Sequence, residues 1–369
     1  MPVELEDLRN GLFVGAREAY RVALLIPLCG SAGLWAPSCI SSAQVAVAEL
    51  NATGGISGRR VQLIMIDAAL EAFEPVEEIV NGLIDEQAID AIVGMHISAV
   101  RQRLSKVVRQ RIPYIYTPLY EGGERTPGIF AIGETPDEQL GPAMELLQKR
   151  FAPKRWALIG NDYVWPHSSH SYAKKKLKEM SGHLAFETYL PFGQKNMGPV
   201  IEKLSASGAE AVLISLVGQD AVTFNRSFGR AGLHDQMIRL SCAIEENGLL
   251  ACGATNLSRL FAVSSYFGAL PTEGNNAFKE RYYAMHGESA PVLNSLGQST
   301  YEGLHYLAGL MTDFSDTWHL HSAGGGLPVF HKSGRRTTPE KRADRAPVYL
   351  ARADGLQFLI DKELTIKNL

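Results

Sequence analysis

The 369-residue sequence has no run of about 18 apolar residues, the length a helix needs to cross a bilayer. Cysteine is scarce, with only Cys29, Cys39, Cys242 and Cys252. None forms a CxxC pair and no Cys/His cluster has zinc spacing, so no metal is expected. Scattered cysteines in a chain of this length read as buried thiols of a reducing compartment, with a disulfide between Cys29 and Cys39 or between Cys242 and Cys252 as the alternative. No charge sign dominates: Lys+Arg 36 against Asp+Glu 39 leaves −3, without the basic footprint of a nucleic-acid binder. The N-terminus starts acidic and has no basic segment followed by an apolar stretch and a small-residue cleavage site, so the reading is a chain that is not exported. A trimmed or missed signal peptide would instead make it periplasmic.

Phosphate and catalytic motifs are missing too. There is no G-x-x-x-x-G-K-[ST] loop, and Leu28–Gly33 after the first apolar strand lacks dinucleotide spacing. Gly324–Gly326 lies far from a suitable strand–helix junction, so no nucleotide cofactor is expected. No G-x-S-x-G elbow occurs. His167 and His170 have no third ligand at metal spacing and read as surface or capping histidines. Asp220 and Glu245 can be drawn as an acid/base pair but read as ordinary loop carboxylates. The sequence therefore predicts no catalytic residue, no metal, no cofactor and no enzyme.

Hydrophobic residues make up 46% and charged residues 20%, enough to bury real cores, and the length suits about two or three domains. Short apolar segments alternate with amphipathic ones. Val22–Pro27, Val61–Ile66, Ala91–Val93 and Tyr114–Tyr116 read as strands. Between them, Ile40, Ala43, Val47 and Leu50, then Val76, Ile79, Val80, Leu83 and Ile84, then Leu104, Val107 and Val108 fall at helical spacing. The rhythm resumes with strands Trp156–Ile159, Ala185–Tyr189, Ala211–Ile214 and Met237–Leu240. Helices near Tyr172–Met180, Val200–Leu204 and Phe224–Phe228 accompany them, and Ala277–Met285 and Tyr301–Thr312 are late helices. Lys332–Arg336 reads as a solvated loop, and two short strands near Val348–Ala351 and Gln357–Ile360 close the chain. The fold class predicted is α/β, two doubly wound parallel-sheet lobes with a hinged cleft.

In such sheets ligands sit beyond the carboxyl ends of the strands, so the loops after each strand carry the functional reading. Gly94–Ser98 contains His96 and places Ser98 at the N-cap of a helix. There the serine either caps its own helix or, with the helix N-terminus, holds a carbonyl or carboxylate oxygen. Tyr116 ends the next strand, which runs into Thr117–Gly122 and Tyr120. Asn161–Pro166 holds Tyr163 and Trp165, Val217–Asp220 holds Gly218 and Asp220, Ala243–Glu245 ends in Glu245, and Ser265–Phe267 contains Tyr266. Each aromatic alone reads as core, but their recurrence at successive strand ends suits a small, mostly neutral polar solute. No Arg or Lys occurs in these loops, which argues against phosphate or dicarboxylate ligands.

Ala48–Arg60, Gly94–Val108, Thr117–Gly122, Gly160–Pro166 and Val217–Gly218 carry a family resemblance over roughly Tyr20–Ala308. Together they resemble type I periplasmic-binding-protein-fold receptors, with most similarity to the amide-sensing negative regulator of the aliphatic amidase operon. The nitrile hydratase regulators and the urea and short-amide transporter receptors are similar too. The resemblance implies two lobes joined by three crossover segments: 1–133 plus 264–340 as the ligand-docking lobe I, and 134–263 plus 341–369 as the lid lobe II. It implies that Ser98 bonds an amide, that Tyr116 is a pocket tyrosine, and that Tyr163 lies in the Asp-Tyr step of lobe II. His96 and Trp165 stand where that regulator has tyrosines. Glu245 falls where amino-acid receptors pair a carboxylate with an ammonium.

The resulting expectation is a non-catalytic receptor closing on an amide, a urea-like solute or an amino acid, cytoplasmic as the sequence stands and regulating amide or nitrile metabolism. The alternative is the substrate-binding subunit of a branched-chain amino acid, urea or amide ABC transporter. The partners implied are the small solute and an antitermination regulator or an ABC permease, with a homodimer as the oligomer considered.

Overall fold

The first strand shows why this chain builds a covered parallel sheet. Val22–Ile26 are apolar without alternation, and all five are essentially inaccessible to solvent, as strands covered on both faces must be. The computed structural model describes residues 18–322 and 347–364. In chain order its elements begin with β1 (Ala19–Ile26), α1 (Ala36–Ala52), β2 (Arg60–Asp67), α2 (Val76–Asp85), β3 (Ala91–Gly94), α3 (Ser98–Val108), β4 (Tyr114–Tyr116) and β5 (Ile129–Ala131). Next come α4 (Pro136–Phe151), β6 (Arg155–Asn161), α5 (Val164–Glu179), β7 (His183–Leu190), α6 (Gly198–Ala206), β8 (Ala211–Ser215), α7 (Gly218–Arg230), β9 (Ile238–Ser241), α8 (Glu246–Cys252) and β10 (Leu260–Ser264). The chain closes with α9 (Glu273–His286), α10 (Ser295–Asp313), β11 (Val348–Asp354) and β12 (Gln357–Leu364).

These elements form two compact units. Unit 1 runs to Gly133 and resumes at Thr272; unit 2 holds Glu134–Pro271 and the closing strands. The unit 1 sheet has the order β2-β1-β3-β4-β5, and every neighbouring pair is parallel. The returning helix α10 packs against α1 and the β3/β4 face. Gly297 and Gly303 permit that approach, since a Cβ would lie 2.2 Å from Ser38 Oγ at the first and 2.4 Å from Thr117 Cγ2 at the second.

A polar cluster locks the returning segment to unit 1. Glu49 on α1 accepts from Arg281 Nε at 2.5 Å, from the Tyr301 hydroxyl at 2.6 Å and from His305 Nε2 at 3.1 Å. Burial works to raise the Glu49 pKa, but the hydrogen bonds from His305, Tyr301 and Arg281 outweigh it and hold it down at about 2.

Unit 2 has the sheet order β12-β11-β10-β9-β8-β6-β7, parallel except for β11 and β12, which run antiparallel along the β10 edge. Ile159, Val212 and Ile214 from the sheet pack with Leu204, Phe224 and Phe228 from α6 and α7. Arg239 is buried on β9 with no carboxylate partner among the described residues. It donates to Asn225 Oδ1 at 2.7 Å and to the Ser258 carbonyl at 2.6 Å, and its guanidinium lies 4.6 Å from the Phe228 ring centre.

The alternation read from the sequence corresponds to these elements, but β5, α4, α8 and β10 were not legible in it. In α4 Leu140, Ala143, Met144 and Leu147 form an apolar stripe, but Pro142 inside the helix argues against a helix at that place. The strand β5 spans only Ile129–Ala131, too short for a period. The expected return to lobe I at residue 264 also moves. Ser265 N donates to Glu134 Oε1 at 3.1 Å, Gly268 N to Glu246 Oε1 at 2.8 Å, and Phe267 lies 4.9 Å from Phe358, so this segment stays with unit 2 until Pro271. The expected boundary at 340/341, Gly324–Gly326 and Lys332–Arg336 lie outside the described residues. All four cysteines are free thiols, and Cys29 is exposed rather than buried. No helix among the described residues is long and apolar enough to cross a membrane.

The Glu49 cluster generates a stability prediction. A carboxyl held below its ordinary pKa contributes stability above its unfolded value, and loses it as the pH falls toward the folded one. Glu49→Gln should cost about 1–3 kcal/mol at neutral pH. In denaturant titrations the gap between wild type and variant should close as the pH is lowered from about 5 to 2.

Candidate functional site

The ends of β3 and β4 are neighbours because the strands pair in parallel with Gly94 opposite Tyr116. The turn after β3 brings His96 and Ser98 beside the Tyr116 ring. His96 Nδ1 lies 3.2 Å from the Ile97 carbonyl and Nε2 lies 2.9 Å from the Tyr114 hydroxyl. A carbonyl only accepts, so Nδ1 carries the proton and Nε2 accepts from the phenol. Burial pushes the His96 pKa down to about 3, so the ring is neutral at physiological pH. Tyr116 donates its hydroxyl proton to the His96 carbonyl at 2.7 Å, which leaves its oxygen as an acceptor. Ser98 Oγ is 3.5 Å from that oxygen. Tyr120 stands edge-on to Tyr116 with ring centres 6.3 Å apart.

One expectation is corrected here. Ile97, not Ser98, is the N-cap of α3, and it has an extended backbone and no side-chain cap bond. Ser98 is the first helical residue, so its hydroxyl is not spent on capping. Val100 N already donates to the Ile97 carbonyl at 3.1 Å, so the N–H groups at the start of the helix, beside that hydroxyl, are those of Ser98 and Ala99.

A second correction concerns charge. The strand-end loops contain no Arg or Lys, yet Arg101 lies one turn along α3 from Ser98, and side chains three apart share a helix face. Its guanidinium carbon is 5.1 Å from the Tyr116 ring centre and 5.2 Å from that of Tyr120. It bonds Glu121 at 2.7 Å and Glu124 at 3.0 Å, and all three side chains are less than 10% exposed. Burial opposes the charge on Arg101, and Tyr116, Glu121 and Glu124 more than compensate for it. Gln102 Nε2 donates to Glu121 and Thr126 N to Glu124, both at 2.9 Å. The available signal was the pairing of Ser98 with Arg101 at helical spacing, followed by Glu121 and Glu124 just past Tyr120.

In unit 2 the residues read from the sequence divide into two groups and two single positions. Tyr163, half-buried, is the N-cap of α5, and its ring lies 6.3 Å from Trp165 and 5.3 Å from Phe192, which sequence reasoning missed. Trp165 is 2% exposed, and its Nε1 has no acceptor among the described residues. Gly218 opens α7 with φ 52, a left-handed conformation in which glycine is unstrained. Two residues later, Asp220 accepts from Asn161 Nδ2 at 2.8 Å and from Gly193 N at 3.1 Å. Asn161 Oδ1 in turn accepts from Val217 N at 2.9 Å. Asp220 thus ties the end of β6, the loop after β7 and the start of α7 together, with Asn161 as the partner the sequence did not disclose. Glu245 is buried as the N-cap of α8, and Tyr266 is buried after β10.

His167 stacks on Tyr189 at 3.8 Å and bonds Asp162, whereas His170 is buried. Among the described residues no group of three or more His, Cys, Asp or Glu side chains could hold a metal ion. Asp220→Ala should therefore act first on the fold. Removing the acceptor of a buried donor costs about 1–3 kcal/mol, which should lower the thermal midpoint by several degrees, while Asp220→Asn should lose less. Differential scanning calorimetry of the two variants checks this.

The chain is 25% identical over 195 residues to an amino acid binding protein of Pseudomonas aeruginosa, covering 52% of each chain. It is 22% identical over 225 residues to the Leu/Ile/Val-binding protein of Escherichia coli K12, covering 60% of this chain and 61% of that one. The chain thus spans about half to three fifths of the length of these relatives. Leu/Ile/Val-binding protein homolog 7 of Brucella suis is 24% identical over 315 residues, 77% of this chain and 76% of that one. Among solved structures, the branched-chain amino acid transporter substrate-binding protein LivJ of Streptococcus pneumoniae, in complex with isoleucine, superposes with TM-score 0.77 at 15% identity. It covers 94% of this chain and 99% of that one. A solute-binding protein of an ABC transporter from Rhodopseudomonas palustris, in complex with 4-hydroxybenzoate, has TM-score 0.77 at 15% identity, over 94% and 96%. Residues 19–317 match the family described as periplasmic binding protein, and with a match over most of its length the chain belongs to that family.

Proposed function

We propose that this protein is a non-catalytic receptor for a small amide, urea-like or related polar solute, and that it regulates the expression of amide or nitrile metabolism. The observation that carries the reading is the set of neutral groups at adjacent strand ends of unit 1. The Ser98 hydroxyl, released from capping, and the first-turn N–H groups of α3 lie beside phenols and a neutral His96. Hydroxyl and N–H donors suit a carbonyl oxygen, and the faces of Tyr116 and Tyr120 suit a short apolar substituent.

The names of the relatives favour a second reading, the substrate-binding subunit of an amino acid or amide ABC transporter. In that case the partner is a permease rather than an antitermination regulator, and Glu245 would face an ammonium group. A thermal-shift screen of amides, ureas, nitriles and branched-chain amino acids separates the two by ligand class. A true ligand at 100 times its Kd should add about 2.7 kcal/mol of stability. Calorimetry on the best solute should show binding at least tenfold weaker in Ser98→Ala, with the variant folded. Unchanged affinity would remove the assignment. Prolonged incubation with acetamide or urea should release no ammonia, and release of ammonia would favour an enzyme.

A further inference from the structure

The far end of α3 carries cations that the fold does not use. Lys106 in its last turn, Arg109 just beyond it and Arg125 on the segment leading into β5 line one recess of about 530 Å³. All three are exposed, and among the described residues none has an ion pair or a hydrogen bond to a protein acceptor. The other basic residues nearby are spent on the fold, Arg103 on Glu77 and Arg111 on Asp85. The recess lies about 15 Å along the helix from Ser98, so it is separate from the solute site. The turn that presents it is strained. Arg109 has φ 21 and Gln110 φ 57, left-handed values that a side chain with a Cβ disfavours, and Gln110 Nε2 fastens the turn by donating to the His319 carbonyl at 2.6 Å.

The charge balance of the recess is positive. Its one lining carboxylate, Glu124, is bonded to Arg101 and to Thr126 N. Arg101 also pairs with Glu121, so that group keeps one negative charge, and the C-terminal end of α3 adds about half of another. Three cations outweigh both. Gathered around a concave surface, like charges focus a field that single surface charges lose to screening.

We propose that the recess formed by Lys106, Arg109 and Arg125 is a second binding site, for a compact oxyanion that bears two or more negative charges. The cations stand on two walls, the end of α3 and the approach to β5, so an ion with several charged oxygens can engage them together where a single carboxylate cannot. Each guanidinium can hold two oxygens of a phosphate or carboxylate group. The Thr126 hydroxyl, which makes no hydrogen bond among the described residues, adds a neutral donor. Among the described residues no aromatic ring and, apart from Pro127, no large apolar side chain lines the recess, so nothing there would stack a base or bury a hydrocarbon chain. Phosphate and carboxylate compounds share the required chemistry. The proposal does not depend on what docks at Ser98.

The test is isothermal titration of the full chain at neutral pH and low ionic strength with sodium pyrophosphate, citrate, acetate and a deca-aspartate peptide. Pyrophosphate, citrate or both should bind, at least tenfold more tightly than acetate, and added sodium chloride should weaken the binding. Binding of pyrophosphate alone assigns a phosphate compound, and binding of citrate alone a polycarboxylate; either supports the site. Arg109→Gln and Arg125→Gln should each weaken the better ion at least fivefold. Two controls should leave its affinity unchanged: Lys175→Gln, which removes the same charge from the exposed face of α5, and Ser98→Ala, at the opposite end of α3. The arginines and Lys175 are exposed, so their variants are expected to fold. Failure of both polyvalent ions to bind overturns the proposal, as does acetate binding equally well. So does binding of the peptide alone, which would make the recess a protein-docking surface. An equal loss in Lys175→Gln, or a loss in Ser98→Ala with none in the arginine variants, overturns it too and leaves the receptor reading standing.

Discussion

A parallel strand covered on both faces has every side chain committed to the core, and this constraint organises both units. Residues of β1, β3, β4, β6 and β8 are buried almost without exception, so their sequences leave no room for polar chemistry along the strand. The chain can present donors, acceptors and aromatic faces to a solute only where the strands stop. The helix that follows each strand starts at the same place and brings partly charged N–H groups with it. Topology therefore concentrates His96, Ser98, Tyr116 and Tyr120 at one end of the unit 1 sheet. It does the same for Tyr163, Trp165 and Asp220 at strand ends of unit 2.

The same burial makes polar groups costly unless they are paired. Glu49 takes three donors to fasten the returning helices, and Asp220 closes a loop. Each of these spends its hydrogen-bonding capacity on the fold. Ser98 differs: its hydroxyl caps nothing and, among the described residues, has only a long contact to Tyr116. Trp165 differs as well, because its indole N–H is buried without an acceptor among the described residues. Groups left in that condition at strand ends are the ones with capacity to spare for a solute.

How much of this was legible in the sequence depended on range. Uninterrupted apolar runs such as Val22–Ile26 and helical stripes such as Val76–Ile84 reveal their elements from local pattern. Loop position after a strand was enough to single out His96, Ser98, Tyr116 and Tyr163. What stayed hidden depended on contacts between residues far apart in the chain. Arg101 meets Glu121 and Glu124 only because β3 and β4 are adjacent, so a survey of the loops alone missed the one charged cluster beside the phenols. Asp220, which reads as an ordinary loop carboxylate, meets Asn161 and Gly193 only once the strands are assembled. The helix Pro136–Phe151 was concealed by Pro142, which a covered helix tolerates when packing compensates for the lost backbone bond.

Membership of the periplasmic binding protein family accords with the two α/β units. The central claim is that an uncharged solute is held at the start of α3, against Tyr116 and Tyr120. A crystal structure grown with the amide that gives the largest thermal shift tests that claim most directly. The account predicts the carbonyl oxygen of the solute within hydrogen-bond reach of Ser98, with its substituent against the two tyrosine rings. A solute bound elsewhere, with the Ser98 end of α3 unoccupied, would contradict it.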